Sequence, residues 1–125
     1  MTRSLILKRI LPLAAVVGLA SCGQPDRPHW PIVGDAAQGK VWAGRMGCGS
    51  CHYIPGLENA NGLVGPPLTH FAQRTMVAGV LANTPPNLVQ WIKEPQVVVP
   101  GNAMPTQGLT ESQARDIAAY LYTLD

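Results

Sequence analysis

The chain has 125 residues, room for one domain, with only 13% charged side chains and nine Lys+Arg against seven Asp+Glu. A formal charge of +2 with no basic patch gives no reason to expect a nucleic-acid partner. Gly and Pro contribute 13 and 12 residues, so much of the chain is loop, and so small a domain gains from a metal, cofactor or disulfide that completes its core.

MTRSLILKR places Arg3, Lys8 and Arg9 ahead of an uninterrupted apolar run from Ile10 to Ala20. The run is shorter than the roughly 20 residues that span a bilayer, and it suits the core of an export signal. Leu19-Ala20-Ser21-Cys22 follows and resembles the bacterial lipoprotein box. That resemblance implies cleavage before Cys22 and lipid attachment to its sulfur, with a plain secretory signal or a short uncleaved anchor as the alternative. Two or more acyl chains, at about 0.8 kcal/mol per buried CH₂, hold a protein stably on a membrane. Gly23 to Gly34 contains Pro25, Pro28 and Pro31 and reads as an extended linker reaching roughly 35 Å. The expected division is a lipoprotein signal at 1–21, lipidated Cys22 with its linker at 22–34, and a folded domain at 35–125. Without Arg3, Lys8 and Arg9, six basic residues face seven acidic ones, so the mature chain is near −1.

Asp35 is a good N-cap, and a helix is predicted over 36–46 with Gly47 closing it. Residues 53–68 are turn chemistry. A short helix is expected within 69–81. A clearer one follows, capped by Thr84, opened by Pro85, ended by Pro95 and striped with Leu88, Trp91 and Ile92. Residues 96–108 read as loop, with Val97, Val98 and Val99 able to run extended. Thr110 and Gln113 form a capping box for the last helix, whose apolar face is Ala114, Ile117, Ala118 and Leu121, flanked by Tyr120 and Leu124. No alternation is long enough to build a sheet, so the fold class is a small all-α domain of three to five helices.

Cys48-Gly-Ser-Cys51-His52 lies between the first helix and the turns. A thiol redox pair of this spacing sits in a strand-rich setting, which is absent here. A zinc site needs four ligands, and beyond the motif only His29, His70 and Cys22 could contribute. A Cys48–Cys51 disulfide closes too small a loop to stabilise much. The third chemistry uses both thiols and the imidazole: the cysteines add across the two vinyl groups of a haem, and the next residue projects under the iron. This is the attachment signal for c-type haem. The export signal and the loop-rich composition both suit it.

A second axial ligand would come from Met104, Met76 or His70. Met76 lies in an apolar run, where a core role is expected. His70 beside Phe71 reads as a surface or capping residue. Met104 sits in an irregular loop between two helices and is the favoured ligand. His/Met ligation raises the potential and fills both axial positions, the properties of an electron carrier.

The ordered set GDAAQGK, CGSCH, GPPL, PGNAMP and ARDIAAYLYTL, from Gly34 to Leu124, resembles the class I cytochromes c. The stretch from Gly65 to Pro105 is similar to the cytochrome c domain carried by subunit II of haem-c-containing terminal oxidases. The resemblance implies one covalent haem c on Cys48 and Cys51, with His52 and Met104 as iron ligands. It also implies that the Pro66 carbonyl accepts the His52 Nδ1 proton and that Trp91 and Arg74 approach the haem propionates. In such folds the first and last helices cross where a glycine meets an aromatic. Gly39 and Tyr120 match, and Gly44 is the alternative contact. No copper-binding domain is recognised alongside, so no copper site of that kind is expected.

The expected function is membrane-anchored, single-electron transfer in a respiratory chain, to or within a terminal oxidase, with the haem domain on the periplasmic side. It is a carrier with redox-protein partners and no small-molecule substrate. The alternatives are a haem peroxidase or gas sensor with a labile Met104, and a fixed haem subunit of a larger complex.

Overall fold

The computed structural model describes residues 31–125. The expected signal, the Cys22 lipidation site and most of the linker, including His29 and Trp30, lie outside the described residues.

Helix α1 spans Ala36–Arg45 and starts where Asp35 dictates: its carboxylate accepts the backbone N–H groups of Ala37 and Gln38. A 3₁₀ turn, Cys48–Ser50, follows directly. The chain then loops to a second 3₁₀ turn, Phe71–Gln73, and a ribbon of two short antiparallel strands, β1 (Met76–Val77) and β2 (Leu81–Ala82). Helix α2 spans Pro85–Lys93 and α3 is a single turn, Pro95–Val98. Helix α4, Glu111–Leu121, opens on the complete Thr110–Gln113 capping box.

Three local expectations change. Residues 69–81 form no α-helix: the chain reverses at Ala78 (φ 54°) and Gly79 (φ 72°), both left-handed, and Val80 N–H donates to the Val77 carbonyl. Thr84 occupies the N-cap of α2 but its side chain makes no capping bond. Pro95 both ends α2 and opens α3, because a proline whose missing N–H is fatal inside a helix is at ease in the first position of the next. The loop expected over 96–108 therefore begins as a helical turn.

The frame is a crossing of α1 and α4, with α2 packed against α4. Gly39 makes the crossing possible. A Cβ there would stand 1.8 Å from the Asp116 carbonyl oxygen, whereas one on Gly44 would meet only the Leu57 side chain at an ordinary 3.7 Å. The contact point is thus Gly39 against the backbone at Asp116, one turn before Tyr120 on α4. Tyr120 is buried and its hydroxyl donates to the Pro55 carbonyl. Asp116 adds a latch, accepting the Asp35 backbone N–H at 2.9 Å.

The predicted face of α4 is the buried one: Ala114, Ile117, Ala118 and Leu121 join Ala43 of α1 and Leu88, Val89 and Ile92 of α2. Each large aliphatic chain removed from water there stabilises the fold by about 2 kcal/mol. Loop residues Ile54, Ala60, Leu68, Phe71, Leu109 and Leu124 complete the core.

Candidate haem site

The far side of this frame holds a cavity of about 720 Å³. Its walls come from the 3₁₀ turn after α1, the Val64–Leu68 loop, the ribbon, Trp91 of α2 and the loop from Val99 to Gln107. Cys48, Cys51, His52, Pro66, Arg74, Trp91 and Met104 all line it. Residues far apart in sequence are therefore brought to one space. Neither His70, which is exposed in a left-handed conformation, nor any other histidine among the described residues besides His52 lines the cavity.

The cysteine segment is held by backbone bonds to the chain that follows it. Gly62 N–H donates to the Gly49 carbonyl, Gly65 N–H to the Cys51 carbonyl at 2.8 Å, and Leu68 N–H to the Tyr53 carbonyl. Both thiols are free and part-buried. Burial pushes the Cys48 thiol above its ordinary value, with a smaller upward contribution from Cys51. A redox-exchange cysteine needs the opposite, a stabilised thiolate, so Cys48 lacks the surroundings of one. Among the described residues no group of three or more His, Cys, Asp or Glu is placed to hold a metal ion, so these residues alone supply no zinc ligand set.

His52 is oriented from behind. Its Nδ1 lies 2.8 Å from the Pro66 carbonyl oxygen. A carbonyl can only accept, so Nδ1 carries the proton and the Nε2 lone pair is free for a metal. Gly65 lies flat against the ring: a Cβ there would be 2.3 Å from His52 Cε1. The glycine before Pro66 is thus a site residue whose role the sequence did not show, although it opens the GPPL motif.

Arg74 is part-buried, and its guanidinium donates to the carbonyls of Pro67 and Thr69 while lying over the Phe71 ring. It braces the loop that carries Pro66, and among the described residues it is the only Lys, Arg, Asp or Glu in the cavity wall. Val64 lines the cavity and is exposed, and its neighbour Leu63 is 92% accessible.

Met104 is held by Gln96, outside the short motifs, and by Asn102, which stands in PGNAMP without a role assigned to it. The Asn102 carboxamide accepts the Met104 N–H at 2.7 Å, and the Gln96 amide donates to the Met104 carbonyl at 2.8 Å. Sequence reading missed both, because their partners are backbone atoms that leave no pattern.

The donor set fits a haem c: two free thiols, an imidazole whose Nδ1 is held by the Pro66 carbonyl, and thioethers, all lining one largely apolar cavity. Met46 and Met76 line it beside Met104, and Met76, expected in the core, is exposed. Comparison with known proteins agrees. The family model for cytochrome c matches residues 36–125. Cytochrome c oxidase subunit 2 of Alkalihalophilus pseudofirmus is 36% identical over 90 residues, 71% of this chain and 25% of that protein. The corresponding subunits of Bacillus sp. (strain PS3) and Bacillus subtilis are 35% and 33% identical, over 75% and 69% of this chain and 28% and 25% of theirs. The chain thus spans about a quarter of the length of these curated relatives. With its fold, its cavity and a match over the whole of residues 36–125, the chain belongs to the cytochrome c family, whose members carry covalent haem c.

Proposed function

We propose that the chain is a membrane-anchored monohaem cytochrome c that passes single electrons in a respiratory chain, to or within a terminal oxidase. The observation that carries this reading is the convergence of Cys48, Cys51, His52 and Met104 on one cavity. Haem c bound there supplies a one-electron iron couple. Cys48 and Cys51 would hold it through thioethers. His52 would bind the iron through Nε2, with its tautomer set by Pro66 and its ring plane by Gly65. Met104 would offer a thioether, a soft donor that favours the reduced metal. Trp91 and Arg74 stand at the same wall, where their indole and guanidinium N–H groups suit propionate oxygens.

Exposed apolar Leu63 and Val64, the latter at the cavity, suit a partner contact that depends little on salt. Among the described residues no helix is long and apolar enough to cross a membrane, and lipidated Cys22 is the proposed anchor. A tether keeps the domain at high local concentration beside its partner. The names of its relatives favour a second reading of the same chemistry, a fixed haem subunit of an oxidase complex. Purification in mild detergent separates the two: a shuttle leaves the complex and a fixed subunit stays.

The test is an optical spectrum with reductive titration of the haem-loaded protein and of Met104→Ala. The expected result is a low-spin spectrum with a sulfur-to-iron band in the oxidised protein, lost in Met104→Ala together with a fall in potential. An unchanged spectrum in the variant overturns the ligand assignment. Mass spectrometry of the mature N-terminus, with Cys22→Ala as control, tests the anchor.

A further inference from the structure

Met104 sits in a loop that has no regular hydrogen bonding of its own, yet its backbone is tied on both sides. Gln96, on the single turn α3, uses its side-chain amide three ways: Nε2 donates to the Asn102 carbonyl at 2.9 Å and the Met104 carbonyl at 2.8 Å, and Oε1 accepts the Gly101 N–H at 3.1 Å. Asn102 also uses both ends of its carboxamide. Nδ2 donates to the carbonyls of Pro95 and Val99, and Oδ1 accepts the Met104 N–H at 2.7 Å. Both side chains are part-buried, so water competes weakly for these groups. The two amides therefore lock α3, Gly101 and Met104 into one unit, and they touch Met104 only through its main chain.

We infer that Gln96 and Asn102 are positioning residues whose job is to keep the Met104 thioether seated, so that the iron stays closed to outside ligands. The inference rests on Met104 being the distal ligand. A thioether is a weak ligand, and it stays bound because the loop cannot carry it away. Removing the clamp lets the loop open at little cost, and the site then admits small exogenous ligands. The clamp thus separates an electron carrier from a ligand-binding haem protein on the same fold.

The test uses the haem-loaded protein and measures the rate at which cyanide binds the oxidised form, a reaction that requires the thioether to leave. Gln96→Leu keeps most of the side-chain bulk and removes all three bonds. Gln96→Glu keeps the acceptor for Gly101 and removes the donor to Met104. Val89→Ala, in the core of α2 and outside the cavity wall, lowers stability without touching the clamp. The expected result is a rise of about tenfold in cyanide binding for Gln96→Leu, the size of one net hydrogen bond or slightly more. A clear rise is expected for Gln96→Glu and none for Val89→Ala, with the sulfur-to-iron band weakened only in the Gln96 variants. If both Gln96 variants bind cyanide at the parent rate, or Val89→Ala speeds binding as much as they do, the clamp is no more than packing and the inference falls. Met104→Ala is run alongside: a parent-like band in that variant removes the ligand assignment itself, which is a separate failure.

Discussion

The molecule has two halves held by different means. The helical frame of α1, α2 and α4 is held by apolar faces and by backbone contact at Gly39. The cavity wall is mostly irregular chain, held by side chains that reach to main-chain groups: Arg74 to Pro67 and Thr69, Asn83 to Phe71 and Arg74, Gln96 and Asn102 to the Met104 loop. The proposed haem contacts, apart from Trp91 on α2, all lie on the irregular part of the wall. A frame tolerates exchange of one apolar residue for another, since volume and pattern are what it requires. The wall does not, because each amide or guanidinium answers a particular carbonyl whose loss of a partner is costly.

Substitutions can separate the halves. The largest effect is expected at the crossing. Gly39→Val forces a branched side chain into the Asp116 backbone and should cost about 3 kcal/mol or more, read as a lower denaturant midpoint. A midpoint close to the parent's would mean that the helices can slide apart cheaply. Next comes Asn83→Ala, which removes a support behind the wall residues Phe71 and Arg74. Asn83 donates to the Phe71 and Arg74 carbonyls and accepts the Tyr122 hydroxyl at 2.9 Å. Orphaning these groups should cost about 2 kcal/mol, and the spectrum should broaden before the helical circular dichroism changes. If both signals fail together, frame and wall are one cooperative unit.

A smaller effect depends on pH. Burial pushes the Tyr122 phenol from 10.0 up to about 12. The fold favours the neutral form, so its contribution is complete below about pH 10 and is lost as pH rises towards 12. Tyr122→Phe should flatten that alkaline loss in thermal melts taken across this range. The smallest effect is expected at the exposed Lys93–Glu111–Arg115 group, where Glu111 accepts from Lys93 at 2.8 Å and Arg115 at 3.1 Å. These hydrogen bonds hold the Glu111 carboxyl below its ordinary value. The contribution is therefore present above about pH 4.5 and lost as pH falls further. Glu111→Gln should barely move the melting temperature, and high salt should erase the difference.

The same division explains what the sequence made legible. Helices α1 and α4 announce themselves through Asp35, Thr110 and Gln113 and through apolar spacing, since these signals are local and the packing obeys them. The cysteine motif is legible because covalent chemistry fixes its spacing. Residues 69–81 looked helical by composition, yet the left-handed turn at Ala78-Gly79 and the reach of Asn83 from outside the segment make a 3₁₀ turn and a ribbon instead. Gln96 left no trace, and Asn102 and Gly65 showed only as members of PGNAMP and GPPL with no role legible, because they serve main-chain atoms or a neighbouring ring. Their partners are set by how the loops lie, which no periodicity encodes.

The latch between the Asp35 N–H and Asp116 joins residues 81 positions apart. The first and last helices must therefore find each other across almost the entire domain, a loop closure that costs about 4 kcal/mol of chain entropy. Such long-range topology makes folding slow relative to a local bundle. Until α4 has left the ribosome the Gly39 crossing cannot form. The cysteine segment, by contrast, finds its first partners at Gly62 and Gly65 and can take shape earlier. Chain order thus allows the attachment segment to form while the domain around it is still open.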